Sequence, residues 1–221
     1  MTDNRDYLRA WWAAFEKGIE KEFNYIHIEL GANKPKWYSE LNPSGTVPFV
    51  VDDGKPVFES VIVAEYFEDK YKNQGTTLLP ADAHQRSVIR FLIANFGEKV
   101  TGLSYTLLKA QDPNVQEETK TKLRTAITNF NSTIKSLVPS PAGPYLAGEF
   151  SLADIAIVPF IDRFAASLKF YRNFEFVVDD ESHDRLVSSF KASQTRPGFQ
   201  STSQSPEFYN WVYEPYASGK V

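Results

Sequence analysis

Chemistry by this chain has to proceed without a sulfur nucleophile. None of its 221 residues is cysteine, which excludes disulfides, thiolate zinc sites and cysteine catalysis by these residues. The three histidines, His27, His84 and His183, stand too far apart in sequence to suggest a metal cluster. What remains is polar chemistry placed where backbone geometry is useful. Thr46-Val47-Pro48 puts a proline at the head of a strand-like run. It cannot donate to a ladder there, so it belongs at a sheet edge or beside a ligand. Glu59-Ser60 opens a helical pattern. An acid and a serine at that point either complement the macrodipole and cap the helix, or leave its N–H groups and the Ser60 hydroxyl to hold a ligand carboxylate.

These residues need elements to hold them. Leu8, Trp11, Trp12 and Phe15 fall on one side of a helix running from Tyr7, and Gly18 follows where a left-handed C-cap would sit. The alternation from Tyr25 to Leu30 predicts a strand, with His27 packing on one face. A short helix is expected over Lys36–Leu41. Two β-rich runs flank Asp53-Gly54, a dipeptide that accepts the positive φ angles of a tight hairpin. The next helix is expected from Glu59-Ser60 to about Tyr71, with Ile62, Tyr66 and Phe67 on its buried side. Residues 73–82 form a polar linker, and everything beyond it reads as helical. Leu123, Ile127, Phe130, Ile134 and Leu137 make a one-sided apolar stripe. Ser151-Leu152-Ala153-Asp154 has the form of a capping box with Asp in place of Glu, and Phe150 and Ile155 occupy the staple positions. Pro159 inside that helix frees the Ile155 carbonyl, so a kink or a buried partner is expected.

Composition narrows the function classes. A 42% hydrophobic content is enough for a substantial core. The net charge of -4, with Lys and Arg scattered among acids, gives no reason to expect a nucleic-acid partner. No apolar run approaches the roughly 20 residues of a membrane span. The N-terminus, MTDNRDYLRAWW, shows no secretory pattern, so a cytosolic location is expected.

Two motifs taken together point further. Asn42-Pro43-Ser44-Gly45-Thr46-Val47-Pro48, followed eleven residues later by Glu59-Ser60-Val61-Ile62, resembles the glutathione-binding signature of the cytosolic glutathione transferases. Lys34-Pro35-Lys36-Trp37 is similar to the omega and lambda classes. Gly143-Pro144-Tyr145-Leu146-Ala147-Gly148, with Ser151 to Asp154 after it, resembles the capping segment of that family's helical domain. The resemblance implies an α/β thioredoxin-like domain over residues 1–72, the linker 73–82, and an all-helical domain over 83–221.

Carried over residue by residue, the resemblance assigns roles. Val47 pairs its backbone with the cysteinyl backbone of glutathione, and Pro48 is a cis-proline. Ser60 and nearby amides take the γ-glutamyl carboxylate, Glu59 meets its ammonium group, and Lys34 meets the glycyl carboxylate. Phe91, Asn95, Phe96, Val100, Phe164 and Trp211 line an acceptor pocket between the domains, although an aromatic helix face is also the pattern of ordinary core. The implied function is glutathione conjugation, or glutathione-dependent thiol transfer, on small electrophiles or disulfides. Glutathione is the co-substrate, no metal is involved, and a homodimer is left open.

The chain departs from the pattern at its start. The position of the omega and lambda cysteine is held by Asn4, followed by Arg5 and Asp6. An amide there can at most donate a hydrogen bond to the glutathione thiolate, with Thr2 or Tyr7 as improvised alternatives. The three residues before Asn4 are fewer than the about 5 of a typical strand. The resemblance therefore implies a first domain truncated at its N-terminus. A non-catalytic glutathione-binding or scaffold module, or an inactive product of such an enzyme, is the competing expectation.

Overall fold

The structure, a computed structural model, describes residues 7–29, 34–139 and 143–220. Its early elements are α1 (Tyr7–Lys17), α2 (Lys36–Leu41), β1 (Phe49–Asp52), β2 (Lys55–Phe58) and α3 (Ser60–Lys70). Helices follow: α4 (Ala83–Phe96), α5 (Gly102–Lys109), α6 (Pro113–Leu137), α7 (Leu152–Arg172), α8 (Asp184–Gln194), α9 (Pro197–Thr202) and α10 (Pro206–Ala217). The chain divides into two compact units. One runs to Leu79 and takes in Pro197–Thr202, and the other holds Pro80–Arg196 and the chain from Ser203 onward.

In the first unit, α1 packs on α3 and ends as its glycine predicts. Gly18 has φ +69°, its N–H meets the Phe15 carbonyl at 3.0 Å, and the Ile19 N–H meets the Ala14 carbonyl at 3.0 Å. This is a Schellman end, and it turns Ile19 into the core. The short helix α9 returns to the same place, with Phe199 edge-on to Trp12 at 5.2 Å. A Cβ on Gly198 would lie 2.6 Å from the Trp12 ring, so only glycine permits that approach.

The strand expected over Tyr25–Leu30 does not form across residues 25–29, and Leu30 lies outside the described residues. Tyr25 and Ile26 are 60% and 64% exposed. Alternation specifies two faces but supplies no partner, and a strand exists only where a ladder takes up its N–H and C=O groups. Among the described residues the sheet is the β1–β2 hairpin alone. Its turn is Asp53 (φ +49°) and Gly54 (φ +77°), the paired positive angles that the dipeptide predicts.

Helix α3 starts and ends as expected, but its buried face is Val63, Ala64 and Phe67, while Ile62 is 58% exposed. Ile62 lies roughly 200° around the helix from Ser60, opposite the face that Ser60, Ala64 and Phe67 share. Near its C-terminus α3 is anchored by charge. The buried Lys17 ammonium meets the buried Glu68 carboxylate at 2.9 Å and the Thr76 carbonyl at 3.2 Å. The Leu78 N–H donates to the same carboxylate at 3.0 Å. Gly75 packs directly on α1, where a Cβ would meet the Glu16 carbonyl at 2.2 Å.

The second unit is helical. Its core takes the predicted stripe Leu123, Ile127, Phe130 and Ile134 from α6, while Leu137 at the helix end is 39% exposed. The Ser151–Asp154 capping box forms at the start of α7, a helix buried over most of its length. Helix α7 continues through Pro159, whose carbonyl accepts from Arg163 Nε at 3.1 Å. Asn131 of α6 closes the start of α8 by accepting from the Arg185 N–H at 3.1 Å and the Leu186 N–H at 3.3 Å.

Candidate functional site

Hairpin register decides which residues lie together in the first unit. Phe49 pairs with Phe58, so Val47 and Pro48 enter the hairpin, and Glu59 and Ser60 leave it, at the same end of the ladder. The Val47–Pro48 peptide is cis. Asp52 at the other end accepts from the Tyr66 hydroxyl and the Lys70 ammonium, which ties the hairpin to α3. The Lys70 contact holds the Asp52 carboxyl below its ordinary range.

Helix α3 begins here without a side-chain cap. Glu59 is the N-cap residue, with φ +64° and ψ 123°, and its carbonyl accepts from the Val63 N–H at 2.8 Å. A non-glycine residue at that angle carries backbone strain of the kind that gathers at ligand sites. Its carboxylate is exposed, and Ser60 beneath it is 3% exposed. The first-turn N–H groups therefore remain open to an incoming acceptor.

Lys34 joins the same end of the unit. Its ammonium donates to the Gly45 carbonyl at 2.9 Å, two residues before Val47. Gly45 has φ +64°, and a Cβ there would lie 2.4 Å from the Lys34 nitrogen. The five first-unit residues singled out in the sequence are thus brought to one end of the hairpin: a cation, an exposed acid, an open helix start and the Val47-Pro48 turn. Such an array can take a ligand bearing separated carboxylates and an ammonium group.

Sequence reasoning includes Asn42 in the motif without giving it a role, and misses Tyr38 as a member of this region. Both are buried beneath it and donate to the Thr46 carbonyl, and burial pushes the Tyr38 phenol above its ordinary range. The available signal was a tyrosine four residues before the motif asparagine, on one face of a short helix.

The remaining expected residues are dispersed. Asn4 and Thr2 lie outside the described residues, as does the Tyr7 side chain. In the second unit Phe96, Val100 and Phe164 are core, and Phe96 and Phe164 both contact the Phe160 ring. Asn95 is half-buried. Phe91 is 48% exposed and borders a shallow groove of about 360 Å³ with His84, Val88 and Leu137. Trp211 is 58% exposed beside Phe208. Among the described residues no cluster of His, Asp or Glu could hold a metal, and no helix is long and apolar enough to cross a membrane.

Comparison with known proteins covers both units. Residues 7–70 match the family described as glutathione S-transferase, N-terminal domain, and residues 87–202 match glutathione S-transferase, C-terminal domain. Protein IN2-1 homolog B of Oryza sativa subsp. indica is 27% identical over 203 residues, 90% of this chain and 76% of that protein. Glutathione S-transferase DHAR2 of Arabidopsis thaliana is 26% identical over 190 residues, 85% of this chain and 80% of its own length. The crystal structure of glutathione transferase Omega 3C from Trametes versicolor superposes with a TM-score of 0.79 at 27% identity, covering 98% of this chain and 87% of that one. The fold is the thioredoxin-like first domain and helical second domain of those proteins. With its hairpin region and its helical bundle each matched to the corresponding domain, the chain belongs to the glutathione S-transferase family.

Proposed function

We propose that this chain binds glutathione at the open end of the hairpin and uses it as co-substrate for conjugation to small electrophiles. The observation that carries the proposal is the uncapped start of α3, with strained Glu59 next to Phe58 at the end of the hairpin where Pro48 precedes its partner Phe49. Ser60 and the first-turn amides take the γ-glutamyl carboxylate, and Glu59 takes its ammonium. Val47 pairs with the cysteinyl backbone as an added strand would. Lys34, with donors to spare beyond its contact to Gly45, takes the glycyl carboxylate.

Conjugation is preferred to thiol transfer because mixed-disulfide turnover needs a sulfur nucleophile, and these 221 residues contain none. Conjugation needs only a donor that stabilises the glutathione thiolate. Asn4 is the residue at the matching position. Because it is an amide rather than a thiol or hydroxyl, a glutathione-binding module without turnover is the second reading. Calorimetric titration with glutathione tests the site. Glu59→Gln and Lys34→Ala are each expected to weaken binding by about 1.5–3 kcal/mol, the worth of a charge-assisted contact. Unchanged affinity in both variants sinks the assignment. Turnover of a chloronitroarene, with no reduction of disulfides, distinguishes the conjugating enzyme from the binding module.

A further inference from the structure

We infer that Tyr38 and Asn42 are positioning residues that aim the Val47 amide at its ligand, an inference that rests on the glutathione reading above. Tyr38 is fully buried in α2, and its hydroxyl donates to the Thr46 carbonyl. Asn42, 1% exposed, donates to the same carbonyl at 2.6 Å and to the Tyr38 hydroxyl oxygen at 3.0 Å. The Ser44 hydroxyl donates to Asn42 Oδ1 at 2.6 Å. That contact fixes which way the amide faces, since its oxygen is occupied by Ser44 and its NH2 group must turn to Thr46.

A carbonyl oxygen has two lone pairs, so the Thr46 oxygen is filled by these two donors from the buried side. The Thr46–Val47 peptide is trans, the cis bond among the described residues being Val47–Pro48. In a planar trans peptide the C=O and the following N–H point in opposite directions. Holding the Thr46 carbonyl inward therefore turns the Val47 N–H outward, where no group among the described residues accepts it. Two side chains that never touch the ligand thus set the direction of the donor that does. Removing either donor frees this peptide plane to rotate, and the loss is felt at Val47 alone rather than at the start of α3.

The test is an amide NMR titration of the full chain with glutathione, paired with calorimetry, on the parent, Tyr38→Phe, Asn42→Leu and Ser44→Ala. In the parent, the Val47 amide proton is expected to move downfield on saturation. Tyr38→Phe and Asn42→Leu are each expected to weaken glutathione about three- to tenfold, as the loss of one of the two neutral hydrogen bonds to the Thr46 carbonyl predicts. Their Val47 shift shrinks while the Ser60 and Val61 responses persist. A merely structural role would instead move all of these amides together. Ser44 is exposed, so Ser44→Ala folds even where the buried variants do not, and a smaller loss of the same Val47 response is expected. Glutathione binding to the parent with an unmoved Val47 amide, or variants indistinguishable from the parent, overturns the inference. A parent that binds no glutathione instead overturns the functional reading, and the inference falls with it.

Discussion

Helices α3 and α7 begin in opposite ways, one in each unit. At the start of α7 a side-chain capping box closes the helix. Asp154 accepts from the N–H groups of Leu146 and Ser151 at 3.0 Å each, from the Ser189 hydroxyl at 2.7 Å and from the Ser151 hydroxyl at 3.3 Å. At the start of α3 no side chain caps the helix, and Glu59 sits exposed at positive φ. The anchor of α3 lies near its other end, where Glu68 meets Lys17 and the Leu78 N–H. The same four orphan N–H groups that any helix start presents can be closed for folding or kept for a ligand. Which of the two happens is set by the groups that tertiary structure brings to that end.

Breaking the closed end should have the largest effect. Asp154→Ala orphans four buried donors, two backbone N–H groups and two hydroxyls, and is expected to cost on the order of 5 kcal/mol in urea unfolding. A loss below about 1 kcal/mol would mean that the box is decorative. The same carboxyl has a pH signature, because burial outweighs its donors and pushes it up to about 6 from an ordinary 3.8. The folded protein therefore binds this proton before the unfolded chain does. The resulting stabilisation is complete below 3.8 and lost as pH rises through about 6. Melting curves of the parent and Asp154→Asn should diverge toward acid in the parent's favour, and parallel curves refute the assignment.

Cutting the anchor of α3 comes next. Lys17→Met leaves Glu68 buried without its cation and is expected to destabilise by about 3–5 kcal/mol. Adding Glu68→Leu should recover part of that, and no recovery would show that the charge is not the cause. Two serine variants sharpen the contrast itself. Ser151→Ala should cost about 1 kcal/mol of stability. Ser60→Ala, which removes no helix cap, should cost less stability than Ser151→Ala while weakening glutathione. Reversal of that pattern would exchange the roles of the two helix starts. Glu59→Gly should stabilise by about 1 kcal/mol, since glycine carries the positive φ without strain, and should also weaken glutathione. A lowered melting temperature would show that the angle at Glu59 is not strained.

Much of the fold was legible because its signals are local. Asp53-Gly54 sets the hairpin, Gly18 the end of α1, and Ser151 with Asp154 the start of α7, each through contacts spanning a few residues. The nearness of Val47 and Pro48 to Glu59 and Ser60 was legible for the same reason, since the two pairs flank Phe49 and Phe58, which close one end of the hairpin. Other features depend on residues far apart in the chain, and no periodicity encodes them. Tyr25 to Glu29 has the alternation of a strand but no ladder partner among the described residues. The turned face of α3 was settled by what packs on it rather than by its own pattern, leaving Ile62 outside. Lys17 and Glu68 are 51 residues apart, and α9 reaches α1 from the far end of the sequence. By itself the sequence determined where the chain turns, caps and pairs locally, because those are choices of φ, ψ and nearby hydrogen bonds. Only the tertiary structure decided which helix start stays open and which buried charges meet, because burial and pairing exist only once distant segments share the same space.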